Sequence, residues 1–411
     1  MALPYFAEFG WKPLILKINP AEQEGIKDPE LCRTVPVHIK TWQAGCLPLW
    51  LTKWTGLRNV GLRSYFHLAV LGNRIIQTEK PQAVFFSTTM FPVMTLGRYW
   101  QRRHGIPYVL DYQDPWRKRR TEDESQKSEG EGSRPLNIKR WLADWVAGVL
   151  EPFALRRVSH VVSVSPAYVD MLRARYSWLG ENDFTVLPFG AAEADYEHLR
   201  VNSLQQTIFN PHDGRRHWVY AGACIPQMSL AVSAFFRALK LLIEKQCALR
   251  DKLRIHFVGT NYAPKERAIK TVEPLTLEYG LGGVVSETTD RIPYFEALQC
   301  LLDADALFIP GSDDPGYTAS KLYPYILAKK PLLAVFHEAS SVMQILNRTR
   351  AGTVVSFRTG ESVEATASRI TETGWLDSPT IPPTDWPAFE PYTAREMTRR
   401  LCRVFDQCNQ S

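Results

Sequence analysis

Short, continuously apolar runs alternate with helix-length amphipathic stretches along nearly the whole chain, and the alternation restarts midway. The first set of runs is 13–18 (PLILKI), 35–39 (VPVHI), 82–86 (QAVFF), 107–112 (PYVLDY), 160–164 (HVVSV) and 184–188 (FTVLP). Helical patterns at 64–78, 92–104, 138–156 and 166–176 lie between several of them. The second set is 218–223 (WVYAGA), 253–260 (LRIHFVGT), 284–288 (VVSET), 306–312 (ALFIPGS), 331–336 (PLLAVF) and 353–357 (TVVSF). Strands that are apolar on both faces, joined through helices, predict parallel sheets covered on each side. The break near 195–215 is polar and aperiodic, which predicts an interdomain linker there. A last helix is predicted over 392–408, after a Pro-rich stretch.

The chain is α/β, and its 411 residues exceed what one hydrophobic core usually serves. Two Rossmann-like domains are expected: 1–200 together with a C-terminal helix at 390–411, and 214–380. Thr121–Ser133 (TEDESQKSEGEGS) has no aliphatic or aromatic side chain and predicts a mobile surface loop, with a lid as the functional alternative.

No apolar run reaches the ~20 residues of a membrane helix, and the start lacks a signal-peptide layout, so a cytoplasmic protein is expected. Seven cysteines without CxxC spacing point to reduced thiols rather than disulfides or a zinc site. The formal net charge of +6 is uneven: residues 1–120 carry +9 and the remainder −3. A basic first part suits a phosphorylated acceptor, a membrane surface or nucleic acid; a solvated surface is the alternative. The aromatic and basic residues form no recognised nucleic-acid module, which leaves the first two.

Open parallel sheets bind ligands beyond the carboxyl ends of their strands. In the first half those positions are Ser87–Thr89, Gln113–Trp116, Ser165 and Phe189–Gly190. In the second they are Gly222–Ala223, Gly259–Asn261, Gly311–Asp314 and His337–Glu338. Glycine lets a phosphate approach the backbone, although it is also the ordinary residue of a tight turn. Ser320-Lys321 follows a Gly/Asp-rich loop and opens a predicted helix ending before Pro331. Free N–H groups and the Lys321 ammonium there suit a diphosphate; the alternative is that Ser320 only caps the helix. Pro324 has no N–H, so this helix either starts one to three residues after Ser320 or has an irregular first turn.

Five ordered segments resemble family 4, group 1 glycosyltransferases: 105–116 (GIPYVLDYQDPW), 158–176 (VSHVVSVSPAYVDMLRARY), 187–196 (LPFGAAEADY), 291–311 (RIPYFEALQCLLDADALFIPG) and 320–335 (SKLYPYILAKKPLLAV). The resemblance implies the GT-B fold, two Rossmann-like domains facing across a cleft, with a C-terminal helix crossing back to the first. It implies sugar transfer from a nucleotide-sugar donor to a saccharide or lipid-linked acceptor in cell-surface polysaccharide synthesis. Neither metal nor cofactor is implied, the nucleotide-sugar being a substrate. Carried over by matching segments, Gly222, Gly259, Ser320, Lys321 and Leu322 would line the donor site; with Thr260 and Glu338 at strand ends and Arg291 they are the nucleotide-sugar-binding candidates. Asp114 is the catalytic candidate, to orient a sugar hydroxyl or accept the acceptor's proton; capping the loop before Pro115-Trp116 is its alternative role.

Three departures from the family pattern stand out. The positions of its two glutamates hold Gly316 and Pro324, with Asp313, Asp314 or Glu338 as possible substitutes. The basic pair expected after VYAG is absent from ACIPQMSL (223–230). ALPYFAEFGWKPLIL (2–16) reads as the end of the family's first helix plus its second strand, so a first strand and Gly-rich loop are missing and an N-terminal truncation is expected. A GT-B protein that binds a nucleotide-sugar or a partner without turnover is therefore the alternative, and a nucleotide-sugar epimerase a third reading.

Residues 41–58 hold three Trp and four Leu beside Lys53 and Arg58, and Trp141, Trp145, Val149 and Phe153 share one helical face. Such mixtures suit peripheral contact with the inner face of a membrane; packing in the first domain's core is the favoured alternative.

Overall fold

The computed structural model describes residues 1–22, 28–52, 59–117, 138–202, 204–263, 267–314 and 320–410, with the side chains of 138–143 excepted. The 121–133 segment, Trp54 and Gly316 lie outside these residues. The chain divides into two compact units. One comprises 2–25, 36–188 and 397–411; the other comprises Met1, 26–35 and 189–396.

In the first unit, β1 (Ile15–Ile18) and β2 (Thr41–Ala44) pair in parallel as a two-stranded sheet. A separate parallel sheet has the order β3-β4-β5-β6, formed by Val84–Ser87, Tyr108–Tyr112, His160–Ser163 and Phe184–Val186. All five residues of β4 are buried, as its apolar run predicts. Helices Val60–Glu79 and Thr95–His104 cover one face of the sheets, around Leu68, Trp100 and Tyr108. The helix Ala394–Gln410 covers the other through Leu401, Val404 and Phe405, which meet Val109, Val162 and Phe6. The C-terminal helix thus completes the first unit's core.

The second unit has one six-stranded parallel sheet of order β12-β11-β10-β7-β8-β9. Its strands are β7 (Arg216–Ala221), β8 (Leu253–Val258), β9 (Val285–Thr288), β10 (Ala306–Pro310), β11 (Leu332–His337) and β12 (Thr353–Phe357). Strands β10 and β11 are buried at every residue. Ten residues of the helix Ser229–Lys245 are buried against this sheet, including Phe235, whose ring stacks on Phe308 at 4.0 Å. The segment Pro226–Lys245 is long and apolar enough to cross a membrane, contrary to the sequence reading, but most of it is buried in this core.

Three local expectations are corrected. The 35–39 run is not a strand; Pro36 cannot donate to a ladder, Val37 is fully exposed, and pairing begins at Thr41. The polar stretch after 195 begins as the helix Glu193–Asn202. Its buried Tyr196 and Leu199 dock it, with the Tyr196 hydroxyl donating to the Pro324 carbonyl at 2.5 Å. The favoured packing of these aromatic segments in the first domain's core is also corrected: Trp145 and Val149 are about half exposed, and Trp50 is 72% exposed. Phe153 is partly covered, with the Arg98 guanidinium 4.4 Å from its ring centre, and the Trp141 side chain lies outside the described residues.

Candidate nucleotide-sugar site

The chain leaves β7 and β8 through Gly222 and Gly259, whose φ angles of +148° and +69° suit glycine. The Gly222 N–H donates to the Val258 carbonyl at 2.8 Å and the Cys224 N–H to the Thr260 carbonyl at 2.9 Å, so the two strand ends are stitched together. Over them lies Lys321. Its ammonium donates to the Tyr220 hydroxyl at 2.5 Å and the Ala223 carbonyl at 3.2 Å, and rests 4.8 Å from the Tyr220 ring centre. Burial, with help from the Arg291 charge, pulls the Lys321 pKa down to about 8, against the opposing influence of Cys224. A Cβ at position 222 would sit 2.8 Å from the Lys321 Nζ, so glycine there also makes room for the cation.

Arg291 approaches the same edge: its Cα would be 3.8 Å from a Cβ placed on Gly259. Its exposed guanidinium stacks over Tyr262 at 5.1 Å. Thr260 is buried and donates to Glu287 at 2.6 Å. Glu287 in turn accepts the N–H groups of Thr271, Val272 and Glu273, which anchors the following segment to β9. The edge therefore combines two fixed glycine turns, one enclosed ammonium and one exposed guanidinium, a set that can take up a diphosphate.

The remaining candidates are placed differently. The helix after Ser320 spans only Leu322–Leu327, with Lys321 at its N-cap position and no side-chain cap, so Ser320 is exposed and does not cap it. A later start puts Pro324 in the first turn, where a missing N–H costs nothing. The Leu322 side chain is fully buried in the core and has only its backbone to offer a ligand. Glu338 is exposed and paired with Arg358 at 2.8 Å.

Asp114, in the first unit, lies exposed in the turn after β4. Three residues earlier, Asp111 is buried, and burial raises its pKa. One of its oxygens accepts from Ser87 at 3.0 Å and Gln113 at 2.6 Å, which braces the turn that carries Asp114. Sequence reasoning missed Asp111, Tyr220 and the Ala223 carbonyl. The first was visible as a carboxylate inside an otherwise apolar strand; the other two depend on which strand ends become neighbours. Among the described residues no group of three His, Cys, Asp or Glu side chains is placed to hold a metal ion.

Residues 19–190 match the family described as glycosyl transferase 4-like domain. No curated protein matches the chain. Among solved structures, Anabaena HepE in complex with UDP-glucose aligns with a TM-score of 0.55 at 14% identity, over 95% of this chain and 99% of that one. A sucrose-phosphate synthase from Thermosynechococcus elongatus aligns at 0.52 and 13% identity, over 100% and 89%. A glycosyltransferase from Rickettsia africae aligns at 0.52 and 12% identity, over 97% and 98%. At these identities the likeness establishes the fold, which is GT-B.

Proposed function

We propose that this GT-B chain, whose residues 19–190 match the glycosyl transferase 4-like domain, transfers a sugar from a nucleotide-sugar to a saccharide or lipid-linked acceptor without a metal. The observation that carries this reading is the enclosed Lys321 ammonium over the glycine turns that end β7 and β8. A nucleoside diphosphate leaving group gains negative charge as its bond to the anomeric carbon breaks and the acceptor oxygen bonds that carbon. Lys321, Arg291 and the backbone of Gly222 and Gly259 would meet that charge. Asp114 would orient the acceptor or take its proton. HepE, one of the matching solved structures, is known in complex with UDP-glucose, which makes a uridine nucleotide the first donor to try.

The test is a thermal-shift panel of nucleotide-sugars, followed by nucleoside diphosphate release with added acceptor. One donor should raise the melting temperature, and Lys321→Met should lower affinity for it at least tenfold. Asp114→Asn should lower turnover while leaving the donor-induced shift intact. Absence of a shift with every nucleotide tested refutes the reading; a shift without acceptor-dependent release leaves binding without turnover.

A membrane-linked acceptor in cell-surface polysaccharide synthesis, used at the cytoplasmic face, is the finer proposal. Its support is the exposed apolar set Trp50, Leu51, Phe66, Val70, Trp145 and Val149 on the first unit, together with the +9 charge of residues 1–120. Co-sedimentation with anionic vesicles, reduced by the double variant Trp50→Ser/Trp145→Ser, checks it; binding equal to that of neutral vesicles refutes it.

A further inference from the structure

Asp114 sits in the turn 113–117, which leaves β4 and is held at three points. At its entry, Gln113 Nε2 donates to Ser87 at 2.9 Å and to Asp111 at 2.6 Å. Midway, the Trp116 ring stacks on Phe91 with 5.4 Å between centres. At its exit, the Arg117 carbonyl accepts from Arg175 Nη2 at 3.3 Å. Asp114 itself is exposed between these ties.

The exit tie depends on a carboxylate far from it in sequence. Arg175 ends the helix Pro166–Arg175, and its other terminal nitrogen, Nη1, donates to Glu151 at 2.7 Å. Glu151 lies in the helix Ile138–Leu155 and is fully buried. The same carboxylate oxygen accepts from the Tyr176 hydroxyl at 2.6 Å. A guanidinium is a planar fork, so fixing one arm on a buried carboxylate aims the other. Here the second arm meets the Arg117 carbonyl. The Arg175 side chain is 21% exposed, so a guanidinium released from Glu151 can turn to water.

Stability alone accounts poorly for this carboxylate. Its second oxygen and the Tyr112 hydroxyl, which feels its charge, are both buried without a hydrogen-bond partner among the described residues. A buried ion pair that leaves polar atoms unsatisfied contributes little net stability, and apolar residues of like volume often do as well. An apolar pair would lose the aimed second arm. We propose that Glu151 is a positioning residue for Asp114: through Arg175 it fixes the Arg117 carbonyl, and with it the exit of the turn. Its effect on turnover rests on the role proposed for Asp114; its hold on the turn does not.

Two variants test this. Glu151→Gln removes the charge that anchors the fork. Arg175→Lys keeps an ion pair with Glu151, and so the staple between the two helices, but lysine has no second arm for the Arg117 carbonyl. In protein labelled with fluorotryptophan, the Trp116 fluorine resonance, assigned with Trp116→Phe, should shift or broaden in both variants. The resonances of Trp218 and Trp375 in the second unit should stay in place. Turnover, read as acceptor-dependent nucleoside diphosphate release, should fall by about tenfold or more in both, with the donor KM unchanged. The double variant Arg175→Lys/Asp114→Asn should turn over no more slowly than Asp114→Asn, because the two residues act as one unit. A general loss of fold would instead add to the Asp114→Asn loss. Additive losses overturn the proposal, as does a Trp116 resonance unmoved in both variants. Full turnover by Asp114→Asn would refute the role given to Asp114, and the Trp116 resonance then decides alone whether Glu151 holds the turn.

Discussion

The two units solve the same packing problem with different completeness. In the second, six strands form an unbroken parallel sheet, with β10 and β11 buried at every residue. In the first, β1 is only half-buried along its length, and the strands divide into two sheets around a cavity. Parallel sheets normally require cover on both faces and neighbours on both edges of their inner strands. Among the described residues the first unit has the cover, but β1 pairs only with β2 and β3 only with β4. Its stability should therefore respond less sharply to loss of side chains beside the gap, because those side chains already lack part of their packing.

A matched pair of truncations sharpens this difference most. Phe308 is fully buried in the second sheet, stacked on Phe235, and Phe308→Ala should cost about 3–5 kcal/mol. Phe86 is almost as buried, beside Trp100 at 5.8 Å, but it lines the cavity. Phe86→Ala should cost about half as much, since the void it creates merges with one already present. Urea unfolding followed separately in each unit reads both values. Equal costs would mean that the gap has no energetic consequence.

The complete sheet has a weakness of its own, which acid should reveal. His217 and His256 lie side by side in β7 and β8, with Nδ1 of the first 3.0 Å from Nε2 of the second, and Phe209 stacks on both rings. Asp213 meets the outer nitrogen of His217, Ser286 meets His256, and Arg254 adds positive charge nearby. Burial first, then His217 and Arg254, lower the His256 pKa to about 4. The unfolded chain binds this proton near pH 6.5 and the folded chain only near 4, so stability falls as pH drops through that window. The loss by pH 4 should be on the order of 3 kcal/mol, all of it in the second unit. Melting curves between pH 7 and 4 measure it, and His256→Gln should flatten the slope. An unchanged slope would assign the acid limb to other groups.

What the sequence shows of this architecture follows from how local each cause is. Eleven of the twelve apolar runs overlap observed strands, because a buried parallel strand needs apolar side chains on both faces and so writes itself as a continuous run. The run at 35–39 fails because hydrophobicity alone ignores Pro36, and the true partner of β1 sits five residues later in a half-polar TWQA. The helix Glu193–Asn202 is hidden because Tyr196 and Leu199 are its main apolar anchors, and its other ties reach distant residues: Tyr196 to Pro324, and Asp195 to Tyr294. At the site, Lys321 and the two glycines are legible from their positions after apolar runs. Tyr220 and Ala223 become partners of Lys321 only when β7 and the Leu322–Leu327 helix are brought together across about a hundred residues of sequence. Leu322 illustrates the converse: a position beside the site can point wholly into the core.

A stability effect of similar size to that of Phe86→Ala falls where the two properties of the second unit, complete packing and ligand binding, meet. Gly222→Ala places a methyl group at φ +148° and 2.8 Å from the Lys321 Nζ. The backbone strain should cost about 1–3 kcal/mol. The cation can relieve the clash only by giving up the Tyr220 hydroxyl and the Ala223 carbonyl. Donor affinity should therefore fall by more than the stability loss implies, and its pH dependence should change with it. In the unaltered chain Lys321 titrates near pH 8, so affinity for an anionic donor should weaken from pH 7 to 9 as the ammonium loses its proton. In Gly222→Ala the displaced ammonium returns toward solvent and its ordinary pKa, which shifts that weakening above pH 9. Titration calorimetry at pH 7, 8 and 9 on both proteins distinguishes this from simple loss of fold: a parallel decline in the two would show that Lys321 does not set the pH response.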